Sequence, residues 1–179
     1  MAPAQDQAMP AEPDSNITPD KVRPGIEVII NGELYRHTGD ATMPLLWYLR
    51  DVLRLTGTKY GGDAQAGNGA DLVLVDGKPV PAIGQPMQAL AGRQITTVEG
   101  LAANDGTLHP LQQAFIDEDA IGCGYCTPGW LISGVALLTR TAQPSDDDID
   151  QLPNLCRCGS QTRVRRAIKR AAAGKAGQA

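Results

Sequence analysis

The sequence predicts an α+β chain with a strand-rich first half and a helical second half. Three observations point there. Short apolar runs broken by Asn-Gly and Asp-Gly turns dominate up to about residue 98. From His109 onward, helix-opening signals precede apolar residues at three- and four-residue spacing. All four cysteines fall in that second part.

Residues 1–25 are rich in Pro, Ala, Gln and Asp without a hydrophobic period, which predicts a disordered extension. Order is expected from Ile26. Glu27-Val28-Ile29-Ile30 reads as a strand, Asn31-Gly32 as a hairpin turn and Glu33 to His37 as the returning strand. A helix should follow, with Thr42 as N-cap, Pro44 in its first turn, and Leu45, Leu46, Leu49, Val52 and Leu53 on one face. Gly61 to Asp71 is almost wholly small or turn-forming and predicts a mobile loop. Its glycines do not make a phosphate loop, because the Gly-Lys-Ser/Thr ending is missing. Leu72 to Val75 reads as a buried strand, Asp76-Gly77 as a turn, Lys78 to Ala82 as a short strand and Gln94 to Val98 as another. Helices are expected from His109-Pro110 to about Glu118, from Thr127-Pro128 through Leu138, after a Ser145 cap, and after Ser160.

A formal net charge of −4 over 179 residues gives no reason to expect nucleic-acid binding. The charge is uneven: from Cys156 to Ala179 there are seven Lys and Arg and no Asp or Glu. That pattern suits a solvated helix face before a patch for an acidic partner, phosphate or membrane. The longest apolar stretch, Trp130 to Leu138, is nine residues, against the roughly 20 a membrane span needs. With no secretory leader or twin-arginine pair in view, the expectation is a cytoplasmic chain, periplasmic or membrane-associated only through a partner. His37 and His109 have no nucleophile nearby in sequence, and Trp47 and Trp130 sit in amphipathic helices, so core, cap or interface roles are expected for all four.

The chemistry lies in the cysteines. They read Cys123-x-x-Cys126 and, after twenty-nine residues, Cys156-x-Cys158. Four clustered thiols without a dense cysteine framework favour metal ligation over disulfides. Each pair precedes a helix start, where backbone N–H groups stabilise negative sulfur. Tetrahedral zinc and a [2Fe–2S] cluster both accept four thiolates. The C-x-C pair is less typical of zinc and tilts the spacing mildly toward iron.

The flanking residues carry a resemblance. Gly122-Cys123-Gly124-Tyr125-Cys126-Thr127-Pro128-Gly129 and Asn154-Leu155-Cys156-Arg157-Cys158-Gly159 closely resemble the iron–sulfur subunit of the molybdenum hydroxylases, the xanthine oxidase family. The isoquinoline oxidoreductase and aldehyde dehydrogenase branch is the most similar. Leu46 to Asp51, Leu55 to Gly61, Val75 to Lys78 and His109 to Ile116 fit the same subunit in the same order. The resemblance implies an N-terminal β-grasp ferredoxin-like domain (26–103) followed by a four-helix-bundle [2Fe–2S]-binding domain (104–175). It implies one cluster on Cys123, Cys126, Cys156 and Cys158, and no catalytic residue in this chain. A large partner would carry the molybdenum cofactor and oxidise the substrate, an aldehyde or an aromatic N-heterocycle. A cytochrome or flavin subunit would take the electrons.

Two departures stand out. The family carries a second cluster in its first domain on a C-x4-C-x2-C pattern and a later cysteine. Here Gly61 to Asp71 has no cysteine, and the fourth position falls near Ile83. Asp63 and Asp71 offer only hard oxygen ligands, so an empty scaffold is expected. The family also places glutamine before its first cysteine pair, in contact with the pterin, where this chain has Gly122. Its last cluster cysteine, here Cys158, lies beside the pterin. The alternatives are a non-redox structural or assembly subunit, opposed by the retention of all four cysteines, and a stand-alone zinc module, opposed by the family motifs.

Overall fold

A computed structural model describes residues 25–65 and 67–176. The extension expected over residues 1–25 lies, apart from Gly25, outside the described residues. The first half builds a five-stranded mixed sheet in the order β2-β1-β5-β3-β4. Strands β1 (Ile26–Ile30) and β2 (Glu33–His37) form the expected hairpin. Asn31 and Gly32 turn it with φ of 52° and 86°, the left-handed pair that matches strand twist. β3 (Leu72–Val75) and β4 (Lys78–Pro81) form a second hairpin through Asp76-Gly77. β5 (Gln94–Thr96) joins the hairpins, parallel to β1 and antiparallel to β3. Strands β4 and β5 end earlier than expected: the chain turns into 3-10 segments at Ala82–Gly84 and Val98–Leu101.

The first helix differs from expectation. α1 covers only Leu45–Trp47 and widens at once into a π-helical turn over Tyr48–Val52. Pro44 is its N-cap, without a side-chain bond. Thr42 instead donates its hydroxyl to Asp40 Oδ1 (2.8 Å), and its backbone N–H reaches the same oxygen. Pro44 bridges Pro86 and the Leu45 N–H donates to Gln85 O, so a tertiary contact sets the helix start. The apolar face matches the spacing only in part: Val52 is 53% exposed, because the wider π-helical turn carries it off the core side, and Leu53 is only partly buried. Leu45, Leu46 and Leu49 are fully buried with Val28, Val73, Met87 and Ile95.

The second half contains α2 (Pro110–Asp117), α3 (Thr127–Arg140), α4 (Asp146–Asp150) and α5 (Gln161–Ala176). His109 caps α2: its Nδ1 accepts from the Leu111 N–H (3.1 Å), while Gln112 Oε1 accepts from the His109 N–H (2.9 Å). Ser145 and Asp148 make the same reciprocal cap on α4. Leu111, Phe115, Trp130, Ile149, Val164 and Ile168 form one core with Cys126 at its edge. β3 buries both of its faces. Val73 points to the α1 side, whereas Leu72 and Leu74 meet Ile132 and Ala136 of α3. A two-residue period with apolar side chains on both faces is why Leu72–Val75 reads as one continuous apolar run.

Five basic residues of α5 pair with acids of the same chain. Arg163 pairs with Asp119, Arg165 with Asp146 and Asp150, Arg166 with Glu118, Lys169 with Asp146, and Arg170 with Asp117 and Glu118. Among the described residues, no helix is long and apolar enough to cross a membrane.

Candidate metal centre

Each cysteine pair sits in a turn that ends in a helix. Cys126 is the N-cap residue of α3, and Cys158 lies three residues before α5. Both turns pass through a left-handed glycine directly after a cysteine: Gly124 at φ 81° and Gly159 at φ 84°. A side chain there would strain the turn. Folding closes the twenty-nine-residue gap and brings the four thiols into one neighbourhood. Cys156 Sγ lies 3.6 Å from Cys158 Sγ. Cys156 lies near enough to Cys126, and Cys123 near enough to Cys158, to shift their thiol titration.

The surroundings favour thiolate at one end and exclude water at the other. The Ser160 N–H donates to Cys156 Sγ (3.2 Å), and Ser160 Oγ lies 3.6 Å from Cys158 Sγ. Hydrogen bonds, first from the Cys123 backbone N–H and then from Ser160, bring the Cys158 thiol down to about 6. Burial, reinforced by Cys156 and Cys123, pushes the Cys126 thiol up to about 12. A metal held there would have to displace that proton, coupling its binding to proton release. Arg157 is exposed and is not among the causes of either shift. Cys126 is buried, Cys156 half-buried, and Cys123 and Cys158 exposed, and no cysteine is in a disulfide.

These residues fit a two-iron cluster. The donors are four soft thiols reached by backbone N–H groups. Among the described residues, no three His, Cys, Asp or Glu side chains gather round a single ion position. Two cysteine pairs on separate turns suit two irons taking two thiolates each. Gly122 makes the room: a Cβ there would lie 2.5 Å from Cys158 Sγ and 2.7 Å from Ser160 Oγ. Here the chain packs Cys158 against bare backbone.

Backbone hydrogen bonds tie the two ends of the cysteine-free loop together. The Asn68 N–H donates to Gly61 O (2.6 Å) and the Lys59 N–H to Ala70 O (3.1 Å). Asp71 is buried; its Oδ2 accepts from the Ile83 N–H (3.2 Å), and burial raises its carboxyl above the ordinary range. The loop borders a cavity of about 280 Å³ lined by Asp63, Gln65, Gly67, Asp71 and Pro81. His37 is buried with its Nε2 at Asp40 O (2.9 Å), edge-on to Tyr48. Trp130 is a core residue, while Trp47 stacks on Tyr60 at the surface.

Thiols gathered beside two helix starts and joined to a small mixed sheet are a donor set suited to a thiolate-bound metal. Comparison with known proteins makes the class specific. Residues 97–169 match the [2Fe-2S] binding domain family. The chain is 43% identical over 150 residues to a nicotinate dehydrogenase component from Pseudomonas putida, covering 82% of this chain and 94% of that one. It is 40% identical over 150 residues to the alpha chain of isoquinoline 1-oxidoreductase from Brevundimonas diminuta, with 82% and 97% covered. Among solved structures, aldehyde oxidoreductase from Desulfovibrio desulfuricans superposes with a TM-score of 0.78 at 37% identity, over 86% of this chain and 17% of that one. Quinoline 2-oxidoreductase from Pseudomonas putida 86 superposes at 0.75 and 33% identity, over 87% and 98%. The chain belongs to the iron–sulfur subunits of the molybdenum hydroxylases.

Proposed function

We propose that Cys123, Cys126, Cys156 and Cys158 hold one [2Fe–2S] cluster, through which this chain passes electrons from a large molybdenum-cofactor subunit to an acceptor. The observation that carries this reading is that folding brings the two cysteine turns together across twenty-nine intervening residues, with Cys123 and Cys158 at the surface. On four thiolates, such a cluster exchanges single electrons with little change of geometry. The chain supplies the rest. The buried Cys126 end excludes water, the N–H donors to sulfur tune the potential, and the exposed end offers a short path to a partner.

The same reading divides the chain into a ferredoxin-like β-grasp domain over 26–103 and a four-helix bundle over 104–175, after an extension over 1–25. The mixed sheet order, the separate helical core and a family match beginning at residue 97 support that division. Electrons leave without an outer cluster, so the acceptor, a cytochrome or flavin subunit or a diffusible carrier, docks near the helical half. The complex works in the cytoplasm unless its partner carries it elsewhere. Relatives and structures that this chain covers almost end to end are named for nicotinate, isoquinoline and quinoline. The proposed substrate of the large subunit is therefore an aromatic N-heterocycle.

The test is rapid mixing of the complex, purified with its native partners, with N-heterocycles and with aldehydes. Bleaching of the cluster absorbance before acceptor reduction, with N-heterocycles alone, is the expected result. Turnover that leaves the cluster oxidised throughout would mean a structural subunit. Bleaching with aldehydes alone would reassign the substrate class.

A further inference from the structure

The loop from Tyr60 to Asp71 has no cysteine, yet it touches both cluster loops. Tyr125, between Cys123 and Cys126, donates its hydroxyl to Tyr60 O (2.6 Å). Leu155, immediately before Cys156, donates its N–H to Asn68 O (3.0 Å). The buried Asn154 donates from Nδ2 to Gly69 O (3.1 Å). On the α3 side, Gly129 approaches so closely that an added Cβ would lie 1.7 Å from Gly69 O and 2.9 Å from Asn154 Nδ2. One carbonyl, that of Gly69, thus meets both the helix that follows the first cysteine pair and the asparagine that precedes the second.

The loop is itself held. The Ala70 N–H donates to Asn68 Oδ1 (3.0 Å), and the Ala82 N–H donates to Asp71 O (3.0 Å), tying its end to the segment after β4. A loop kept only as a relic would need none of these links to the cysteine turns. Surface composition does not explain them either, because Asn154 is 5% exposed and its bond spans 85 residues.

We propose that this cysteine-free loop is a brace that sets the spacing of the two cluster loops, with Asn154 and Tyr125 as its positioning residues. The inference rests on the cluster-binding reading given above. It explains how the first half remains useful to electron transfer without a cluster of its own: it fixes the sulfur geometry of the other. Groups one step behind the ligands typically change metal affinity by roughly 10- to 100-fold when removed.

The experiment compares the wild-type complex with Asn154→Ala, Tyr125→Phe and the double variant, and with Gln65→Ala as a control at an exposed position of the same loop. Tyr125→Phe removes one exposed hydroxyl, so it keeps the test independent of folding. Reduced-state EPR line shape, midpoint potential and iron release to a chelator are measured. The brace predicts a shifted potential and a broadened signal in both single variants. It also predicts iron release about tenfold faster in Asn154→Ala and faster still in the double variant, with Gln65→Ala unchanged. Iron-loaded variants that match wild type in all three readouts would overturn the brace alone. A wild-type complex without iron in this chain would overturn both the brace and the cluster reading.

Discussion

Replacing Gly122 by alanine should weaken cluster retention while leaving the iron-free fold almost intact. The added Cβ would stand 2.5 Å from Cys158 Sγ and 2.7 Å from Ser160 Oγ. Non-bonded carbon and sulfur rest at roughly 3.5–4 Å, so the overlap is about 1 Å or more. In the iron-free chain the exposed Cys158 side chain can rotate away at little cost. Once its sulfur is bound to iron, that escape is closed and the overlap must be met by backbone movement or a distorted ligand bond. Overpacking of this kind costs about 1–3 kcal/mol. Charged wholly to the loaded state, that is roughly a 5- to 150-fold loss of cluster affinity. The assay is loss of visible absorbance to a ferrous chelator, run beside urea unfolding of the iron-free chain. Wild-type rates of iron loss in Gly122→Ala would refute the reasoning. So would an equal destabilisation of the iron-free chain, because the clash would then belong to the fold and not to the bound sulfur.

Three further outcomes follow from the same geometry. In the iron-free chain, iodoacetamide should label Cys158 first at neutral pH and lose that preference as pH falls through about 6, while Cys126, pushed up to about 12, stays unlabelled; peptide mass spectrometry reads both. Asp71 has its carboxyl raised by burial, so its contribution to stability is lost as pH rises above the ordinary value of 3.8 and through the folded value. Asp71→Asn keeps an acceptor for the Ile83 N–H and should raise the melting temperature at pH 7, with the gain vanishing below the ordinary aspartate range. Phe115→Ala, at a side chain 1% exposed in the helical core, should cost about 3–5 kcal/mol in urea unfolding.

Local chemistry accounts for what was legible in the sequence. Asn31-Gly32, Asp76-Gly77, Ser145 and His109-Pro110 act through neighbouring backbone, and each element they begin or turn is found in place. The cysteine pairs were legible for the same reason, since their turns and helix starts are written in consecutive residues. What escaped depends on contacts across the chain. The start of α1 is set by Gln85 and Pro86, which leaves Thr42 to bond Asp40. The contact of the glycine-rich loop with Asn154, 85 positions from Gly69, has no signature in the local sequence. Gly122 looks like the loss of a pterin contact, and only the folded chain reveals how closely Cys158 approaches it. The basic run in α5 is balanced by acids of α2, α4 and the turn after α2, which no local pattern connects.

The sulfur cluster itself is the point on which the account stands, and an anaerobic metal inventory of the purified complex reaches it directly. Iron and acid-labile sulfide assigned to this chain should come to two of each, with one S = 1/2 EPR signal after dithionite. Zinc in place of iron, or a chain with neither metal nor signal, would contradict it.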